Sequence, residues 1–287
     1  KFSTGLSPDR TSCTGEVGIC GPRPSEARYP SPNHCHAAAD AQWFAEQGTD
    51  HWPSDYCTSV CWDNATCCSE FYGRIWDAIQ ATGRNMSFGI YSGSGPCVAH
   101  AYTWAPRIGH YWRTGSDMKN VWDGQPGSVM GEVDNLIWND AQRLAQGPGA
   151  YNLLDALVVG ALNRTDGTGT DGTGLTTNEA RSHMGLWVAL SSPLILSIDV
   201  RQPIKPEILS ILTNPAVLAV HKDPLARQGR PIPAVFDGRS ALKLGEQLST
   251  PTINDPVLVI AKPLTQNHTA LLVVNRGSTT QQSIVVA

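Results

Sequence analysis

The spacing of apolar residues along the chain alternates between helix-like and strand-like segments. Apolar side chains recur at helical spacing in several segments, most of them followed by glycine or proline, which predicts helices over Ala37–Gln47, Phe71–Ile79, Val133–Gln146 and Glu207–Leu212. Short apolar runs between them predict strands over Thr49–Ser54, Ser87–Ser92, Leu153–Val159 and Leu194–Ile198. Strands that alternate with helices at this rhythm indicate a parallel sheet, and a (β/α)8 barrel suits their number.

The most specific local signature is a helix start at Thr176. Thr176 and Glu179 have the spacing of a capping box, in which each side chain accepts a hydrogen bond from an otherwise unsatisfied backbone N–H group. Pro193 then ends the helix that this box opens. We expect the tryptophans of the predicted helices to be buried in the core: Trp43, Trp76 and Trp187.

The pattern changes after Gly229, where strand-like runs follow one another without helices between them. These runs are separated by turn residues and cover Val257–Ile260, Ala270–Val274 and Ser283–Val286. We therefore predict two domains, a barrel over residues 1–225 and a small antiparallel β-domain over residues 226–287.

Composition excludes several classes of protein. The chain has 287 residues, 41% of them hydrophobic and 16% charged, which is enough to bury a sizeable core. The net charge of −4 is spread without a basic stripe, so we expect no nucleic-acid partner. No apolar run is long enough to span a membrane, and residues 1–10 lack the apolar core of a signal peptide.

The cysteines and glycosylation sequons indicate a cellular compartment. All 8 cysteines lie between Cys13 and Cys97, a clustering that disulfides or a metal site could produce. Cys57, Cys61, Cys67 and Cys68 could suggest zinc, but no Cys-x2-Cys pair accompanies a second well-spaced Cys or His pair. Four glycosylation sequons begin at Asn64, Asn85, Asn163 and Asn267. Together they favour disulfides, and a secretory route to the extracellular space or a lysosome- or vacuole-like compartment.

Two aspartates are candidates for chemistry. Asp55 ends one predicted strand, and Asp117 follows the segment Tyr111–Ser116. Carboxylates at the carboxyl ends of barrel strands could form the pair that glycoside cleavage needs, one as nucleophile and one as acid/base. Taken alone, two aspartates are weak evidence for a site, because exposed loop carboxylates are far more common.

Five longer segments of the chain carry recognisable motifs. They are Ala39–Asp50 with Asp55-Tyr56-Cys57, Tyr111-Trp112-Arg113 with Asp117 and Trp122, Gly147–Leu157, Arg181–Arg201, and Asp223–Gly229. These segments are colinear with, and resemble, those of glycoside hydrolase family 27, which comprises α-galactosidases and α-N-acetylgalactosaminidases, and they extend over nearly the whole chain.

The resemblance implies a mechanism and a set of site residues. It places the nucleophile at Asp55, the acid/base at Asp117, a substrate-contacting arginine at Arg113 and a sugar-facing carboxylate at Asp155. The implied enzyme is a retaining hydrolase that removes terminal α-linked galactose and needs no metal or organic cofactor. A homodimer is a candidate assembly.

The resemblance also implies that the barrel lacks its first two strands in this chain. Residues 1–15 align with the third strand of the family and the loop after it. Cys13 then matches a family cysteine that bridges to Cys57, and we group this pair with the substrate-binding residues. We expect that the sequence comes from an incomplete gene model and that the full protein has these strands, because a barrel without them would leave open sheet edges.

Several positions depart from the family pattern and leave alternatives open. A sugar-binding lysine is replaced by Pro53, and Gly5 and Leu153 replace other polar residues of the site. Ser94 and Cys97 fall where galactosidases carry larger side chains, so α-N-acetylgalactosaminidase activity is an alternative. A catalytically silent carbohydrate-binding protein is a second alternative.

Overall fold

The computed structural model of the chain describes residues 37–55, 64–92, 95–124, 126–161, 174–235, 256–277 and 285–286. The chain divides into two compact units. One consists of Lys1–Ser116 with Gly149–Leu153, and the other of Asp117–Pro148 with Leu154–Ala287.

The first unit contains a parallel sheet of four strands in the order β1–β2–β3–β4. Helices lie between consecutive strands in the sequence, which confirms the predicted alternation of strand and helix. The strands are β1 His51–Ser54, β2 Ser87–Ile90, β3 Tyr111–Arg113 and β4 Tyr151–Leu153. The helices of this unit are α1 Ala37–Glu46, α2 Ala65–Ala81, α3 Pro96–Ala99 and α4 Ala101–Trp104.

Helix α2 is fixed at its start by a side-chain cap and a disulfide. Oδ1 of Asn64 accepts hydrogen bonds from the backbone N–H groups of Thr66 and Cys67, as an N-cap residue does. Cys68, in the first turns of α2, is bonded to Cys97 in α3 with a Cα–Cα distance of 5.9 Å. This disulfide agrees with the prediction from cysteine clustering.

Helix α1 corrects one prediction about the core. Its buried positions are Ala37, Ala41 and Phe44, which recur at helical spacing. Trp43 lies beside this stripe and is 50% exposed, so the prediction that it belongs to the core is wrong. Trp187 is fully buried, as predicted.

The second unit contains five described helices, and all except the one over Asp140–Ala145 pack apolar residues into or against one cluster. Helix α7 begins with the predicted capping box, in which the side chains of Thr176 and Glu179 each accept a backbone hydrogen bond. The helices are α5 Val129–Ile137, α6 Asp140–Ala145, α7 Thr177–Ala189, α8 Pro206–Leu212 and α9 Pro215–His221. The cluster includes Val133, Leu136, Leu157, Met184, Trp187, Leu258 and Ile260.

The helix predicted over Val133–Gln146 is two helices. Ser128 caps the start of α5 by accepting a hydrogen bond from Gly131, so the helix begins earlier than predicted. Asn139 interrupts it, because its side-chain oxygen accepts from the N–H group of Gln142 and starts α6. Apolar spacing continues across this break and conceals it in the sequence.

The strand predicted over Leu153–Val159 is also wrong. Strand β4 ends at Leu153, and Asp155 adopts a φ of +73°, which turns the chain out of the extended conformation. Beyond this turn, Leu157 pairs with Leu196 in an isolated parallel bridge. The strand predicted over Leu194–Ile198 is therefore reduced to this bridge.

The last part of the second unit is antiparallel, as predicted. Strands β5 Arg230–Pro231, β7 Val257–Pro263 and β8 Thr269–Asn275 form one sheet, and β6 Ala234–Val235 pairs with β9 Val285–Val286. The domain boundary at residue 226 stays a prediction. No helix in the described part of the chain is long and apolar enough to cross a membrane.

A lysine is buried where β7 meets the chain segment after α7. Lys262 is 1% exposed, and its Nζ donates to the backbone oxygen of Arg227 at 2.8 Å and to Oγ of Ser191. Burial lowers the pKa of Lys262 from 10.5 to about 8, although the charge of Asp223 partly opposes this shift. The difference corresponds to about 3 kcal/mol against the charged form.

We expect the stability of the protein to depend on pH through Lys262. The folded-state pKa lies below the unfolded value, so the folded chain binds fewer protons between about pH 8 and 10.5 and its stability rises across that range. The free energy of unfolding of Lys262→Met minus that of the wild type should therefore be largest at pH 7. This difference should shrink by up to about 3 kcal/mol as the pH rises to 10.5. Urea unfolding of both proteins from pH 7 to 10.5 checks this, and a constant gap would contradict it.

Candidate active site

The carboxyl end of the parallel sheet gathers polar side chains in the first unit. Asp55 comes directly after β1, Tyr91 directly after β2, and Arg113 is the last residue of β3. The strands are parallel and in register, with Ser54 opposite Ile90 and Ile90 opposite Trp112, so their carboxyl ends share one edge. The predicted placement of Asp55 at the end of a strand is confirmed, whereas Asp117 lies four residues beyond the end of β3. The roles of Asp55, Asp117 and Arg113 stay predictions.

Arg113 lies against an aromatic ring at this edge. Its side chain is buried, and its Cζ lies 5.7 Å from the ring centroid of Tyr91, in a cation–π contact. Nη2 of Arg113 also donates to the backbone oxygen of Gly115 at 3.3 Å. A buried guanidinium held in this way keeps a positive charge at the edge that carries Asp55.

Tyr91 is itself fixed by backbone hydrogen bonds. Its N–H group donates to the oxygen of Ser54 at 2.9 Å, which continues the ladder between β1 and β2. Its carbonyl oxygen accepts a hydrogen bond from the hydroxyl of Tyr72, in α2, at 2.8 Å. The ring that contacts Arg113 is therefore anchored to both a neighbouring strand and a helix.

Below this edge, a tyrosine crosses the sheet over a glycine. A Cβ atom on Gly89 would lie 2.1 Å from Cζ of Tyr111, so only glycine leaves room for the Tyr111 ring. The hydroxyl of Tyr111 reaches Nε2 of His51 at 2.8 Å, and Nδ1 of His51 lies 2.7 Å from Oγ of Ser87. This hydrogen-bonded chain links β1, β2 and β3 on one face of the sheet.

Burial shifts the pKa of both rings in this chain. It lowers the pKa of His51, an effect that the backbone hydrogen bond with Ser87 partly opposes. It raises the pKa of Tyr111 well above its ordinary value, and the neighbouring Tyr91 raises it further. Both rings are therefore neutral near pH 7, and they connect the strands by hydrogen bonds rather than by charge.

The other two predicted carboxylates lie in the second unit. Asp117 is exposed and begins a loop that ends at Ser128, where α5 is capped. Asp155 is half-buried, and its Oδ2 accepts a hydrogen bond from the backbone N–H group of Met118 at 2.6 Å. The structure thus brings Asp155 to the residue that follows Asp117.

The remaining predicted site residues are placed differently or lie outside the described part of the chain. Cys97 is fully buried, and its sulphur is bonded to Cys68. Pro53 occupies β1 and is half-buried. Cys13, Cys57 and Ser94 lie outside the described residues.

The described residues bring together no group of three His, Cys, Asp or Glu side chains that could hold a metal ion. The prediction that the reaction needs no cofactor stays a prediction.

His183 is buried, and its Nε2 accepts a hydrogen bond from the N–H group of Val158 at 3.1 Å. Burial lowers the pKa of His183 to about 3. The neutral His183 ring therefore stabilises this part of the chain through its hydrogen bond with the backbone of Val158.

Inspection of the sequence missed the aromatic part of the site. Tyr91 and His51 belong to none of the family segments named above, and the motif that contains Tyr111 does not reveal its contacts, which depend on strand register. The one available signal was Gly89, because a glycine inside a predicted strand often marks a close approach by another group.

Comparisons with known proteins identify the family. A family model described as alpha galactosidase A, Melibiase_2, matches residues 20–223. The α-N-acetylgalactosaminidase of Mus musculus is 32% identical over 209 residues, covering 71% of this chain and 45% of the mouse protein. An α-galactosidase of Oryza sativa is 29% identical over 243 residues, covering 85% of this chain and 48% of the rice protein.

Solved structures show the same fold. The α-galactosidase of Saccharomyces cerevisiae superposes with a TM-score of 0.69 at 19% identity, covering 95% of this chain and 55% of the yeast chain. The α-galactosidase I of Mortierella vinacea superposes with a TM-score of 0.68 at 21% identity, covering 95% of this chain and 60% of the Mortierella chain. The chain spans about half the length of these relatives. With a mixed α/β fold, colinear motifs and a matching family model, the chain belongs to the alpha galactosidase A family, glycoside hydrolase family 27.

Proposed function

We propose that the chain belongs to a retaining glycoside hydrolase that removes terminal α-linked galactose from oligosaccharides or glycoconjugates. The observation that carries this proposal is the carboxyl edge of the parallel sheet, where Asp55 follows β1 and Arg113 ends β3. Relatives with about 30% identity are α-galactosidases and α-N-acetylgalactosaminidases, which supports a galactose-type sugar as substrate.

In the proposed reaction, the carboxylate of Asp55 attacks the anomeric carbon and the bond to the leaving oxygen breaks. Asp117 gives its proton to that oxygen, then removes a proton from the water that releases the sugar from Asp55. Both carboxyl groups return to their starting states, so no cofactor is consumed. Arg113 contacts the substrate and helps to keep the nucleophile ionised.

The architecture that we propose extends beyond the four-stranded sheet that the structure describes. We propose that β1–β4 belong to a (β/α)8 barrel, that the barrel domain runs to residue 225, and that residues 226–287 form the β-domain. The four parallel strands with intervening helices and the superposition on α-galactosidases support it. The bridge between Cys13 and Cys57 and a homodimer remain predictions.

A secretory location is part of the proposal. It is supported by the Cys68–Cys97 disulfide, because such bonds persist in oxidising compartments. The four sequons fit the same route. Extracellular and lysosome- or vacuole-like destinations stay open.

α-N-acetylgalactosaminidase activity is the second candidate. It is favoured by Ser94, whose small side chain falls where α-galactosidases carry a larger one, and by the similarity to the mouse enzyme. Cys97, the other position of this kind, is buried in its disulfide with Cys68 and supplies no such room. Additional room at Ser94 would accommodate an acetamido group.

Hydrolysis of 4-nitrophenyl α-galactoside and 4-nitrophenyl α-N-acetylgalactosaminide tests the proposal. The protein should be assayed with any residues that precede Lys1 in its gene. We expect nitrophenol release from at least one substrate, and the preferred one identifies the sugar. A folded protein that binds galactose but releases no nitrophenol would contradict the proposal and favour the silent binding protein, with Pro53 as the first residue to restore to lysine.

A further inference from the structure

Asp155 has an unusual backbone conformation for its position. Its φ of +73° lies in the left-handed region, which costs an L-residue free energy and which aspartate, asparagine and glycine tolerate best. Such a conformation persists when the surrounding contacts hold it, and it often marks a functional position.

Neighbouring residues of the second unit hold this turn. The indole Nε1 of Trp187 donates to the backbone oxygen of Asp155 at 3.1 Å, and the N–H group of Leu154 donates to Oγ of Ser192 at 3.0 Å. Trp187 is fully buried, and the ring of His183 packs edge-on against it with centroids 4.1 Å apart. Because α7 carries both rings, the turn at Asp155 is fastened to a core helix.

The carboxylate of Asp155 is directed at the loop that begins with Asp117. Oδ2 accepts a hydrogen bond from the N–H group of Met118 at 2.6 Å, which is short for an N–H···O contact. This contact fixes the peptide unit between Asp117 and Met118, which is the peptide directly attached to Asp117.

The same loop is fixed from the other side by Gly127. The N–H group of Lys119 donates to the Gly127 oxygen at 2.8 Å, and the N–H group of Gly127 donates to Oε1 of the buried Glu132 at 3.1 Å. Gly127 has a φ of +84°, and a Cβ atom there would lie 2.2 Å from the backbone oxygen of Asp117. The backbone of Asp117 is therefore held between Asp155 and Gly127.

We propose that Asp155 is a positioning residue for Asp117 rather than a ligand of the sugar. The inference rests on the proposed role of Asp117 as acid/base. In that role Asp117 must place its proton within hydrogen-bond distance of the leaving oxygen, and a displacement of about 1 Å can lower the rate about 100-fold. The hydrogen bond from Met118 to Asp155 sets where the Asp117 backbone lies.

The leaving group distinguishes positioning of the acid from binding of the sugar. A nitrophenolate departs with little protonation, whereas an alkyl alcohol departs only when an acid protonates it. Loss of acid positioning therefore slows an alkyl glycoside much more than a nitrophenyl glycoside of the same sugar. Loss of a sugar contact slows both equally, because the sugar is the same.

The test compares Asp155→Gly and Asp155→Asn on the methyl and 4-nitrophenyl α-glycosides of the preferred sugar. Glycine and asparagine both accept the φ of +73°, so the fold is expected to persist, which circular dichroism and thermal unfolding verify. We expect Asp155→Gly to lower kcat/KM for the methyl glycoside about 10- to 100-fold more than for the nitrophenyl glycoside. Asp155→Asn keeps an oxygen that can accept from Met118, so its defect should be smaller.

Two reference variants make the outcomes distinct. Asp117→Ala should show the same selective loss on the methyl glycoside, and Asp140→Ala, an exposed residue of α6, should change neither substrate. If Asp117→Ala is selective and Asp155→Gly slows both substrates equally with a raised KM, Asp155 is a sugar ligand and the inference is overturned. If Asp117→Ala is itself unselective, the acid/base assignment fails and the inference fails with it.

Discussion

Asp55→Asn is expected to lower kcat for α-galactoside hydrolysis about 10⁴-fold or more, which corresponds to about 5 kcal/mol in the activation barrier. The amide is nearly the same size as the carboxylate but cannot attack the anomeric carbon as an anion. The change lies at the exposed end of β1, so it should leave thermal unfolding almost unchanged. Steady-state kinetics on the preferred nitrophenyl glycoside provide the measurement.

Asp50→Asn is the matched control for this prediction. Asp50 precedes β1, is 84% exposed on its side chain and pairs with Arg84, a surface contact of small energetic value. We expect its kinetics to equal those of the wild type. Wild-type turnover by Asp55→Asn would show that another group is the nucleophile.

Arg276→Ala is expected to destabilise the protein by about 3–5 kcal/mol. Nη1 and Nη2 of Arg276 donate to Oδ1 and Oδ2 of Asp134 at 3.1 and 2.5 Å, and both side chains are about 90% buried. Burial raises the pKa of Asp134 although Arg276 opposes the shift, so this carboxylate is costly to leave without its partner. The pair joins α5 to the chain just after β8.

Denaturant unfolding at pH 7 measures the destabilisation caused by Arg276→Ala, with Arg201→Ala as the control. Arg201 pairs with Asp199 but is 85% exposed, so its removal should leave the free energy of unfolding almost unchanged. Replacing Asp134 and Arg276 together with Leu and Met should restore much of the stability, because no buried charge is left unpaired. Equal effects of Arg276→Ala and Arg201→Ala would contradict the account.

Elements with strong local signals were predictable from the sequence. The capping box at Thr176 and the proline at the start of α8 supply chemistry that works in any context, and both helices begin there. The two long antiparallel strands, β7 and β8, were recognisable as apolar runs separated by turn residues.

Other elements depend on single residues whose effect is not visible in an apolar pattern. Asn139 splits a helix that apolar spacing would continue, because its side chain competes for a backbone N–H group. Asp155 ends β4 inside an apolar run by taking a left-handed conformation that the buried Trp187 holds. Tertiary contacts decide both cases.

Some features of the candidate site were likewise predictable from the sequence, and others depend on tertiary contacts. The position of Asp55 was predictable, because the family motif and the predicted end of a strand coincide there. The chain from Tyr111 to His51 was not, because it depends on the register that puts Tyr111 opposite Gly89. The contact between Asp155 and Met118 joins residues 37 positions apart, and no sequence periodicity encodes it.

The central claim is that Asp55 forms a covalent bond to the sugar. Incubation with a fluorinated α-galactosyl fluoride, whose glycosyl-enzyme hydrolyses slowly, should trap this intermediate. After proteolysis, mass spectrometry should find one fluorosugar on the peptide that contains Asp55, and the Asp55→Asn protein should remain unlabelled. A fluorosugar on a different carboxylate, or turnover with no labelled peptide, would contradict the account.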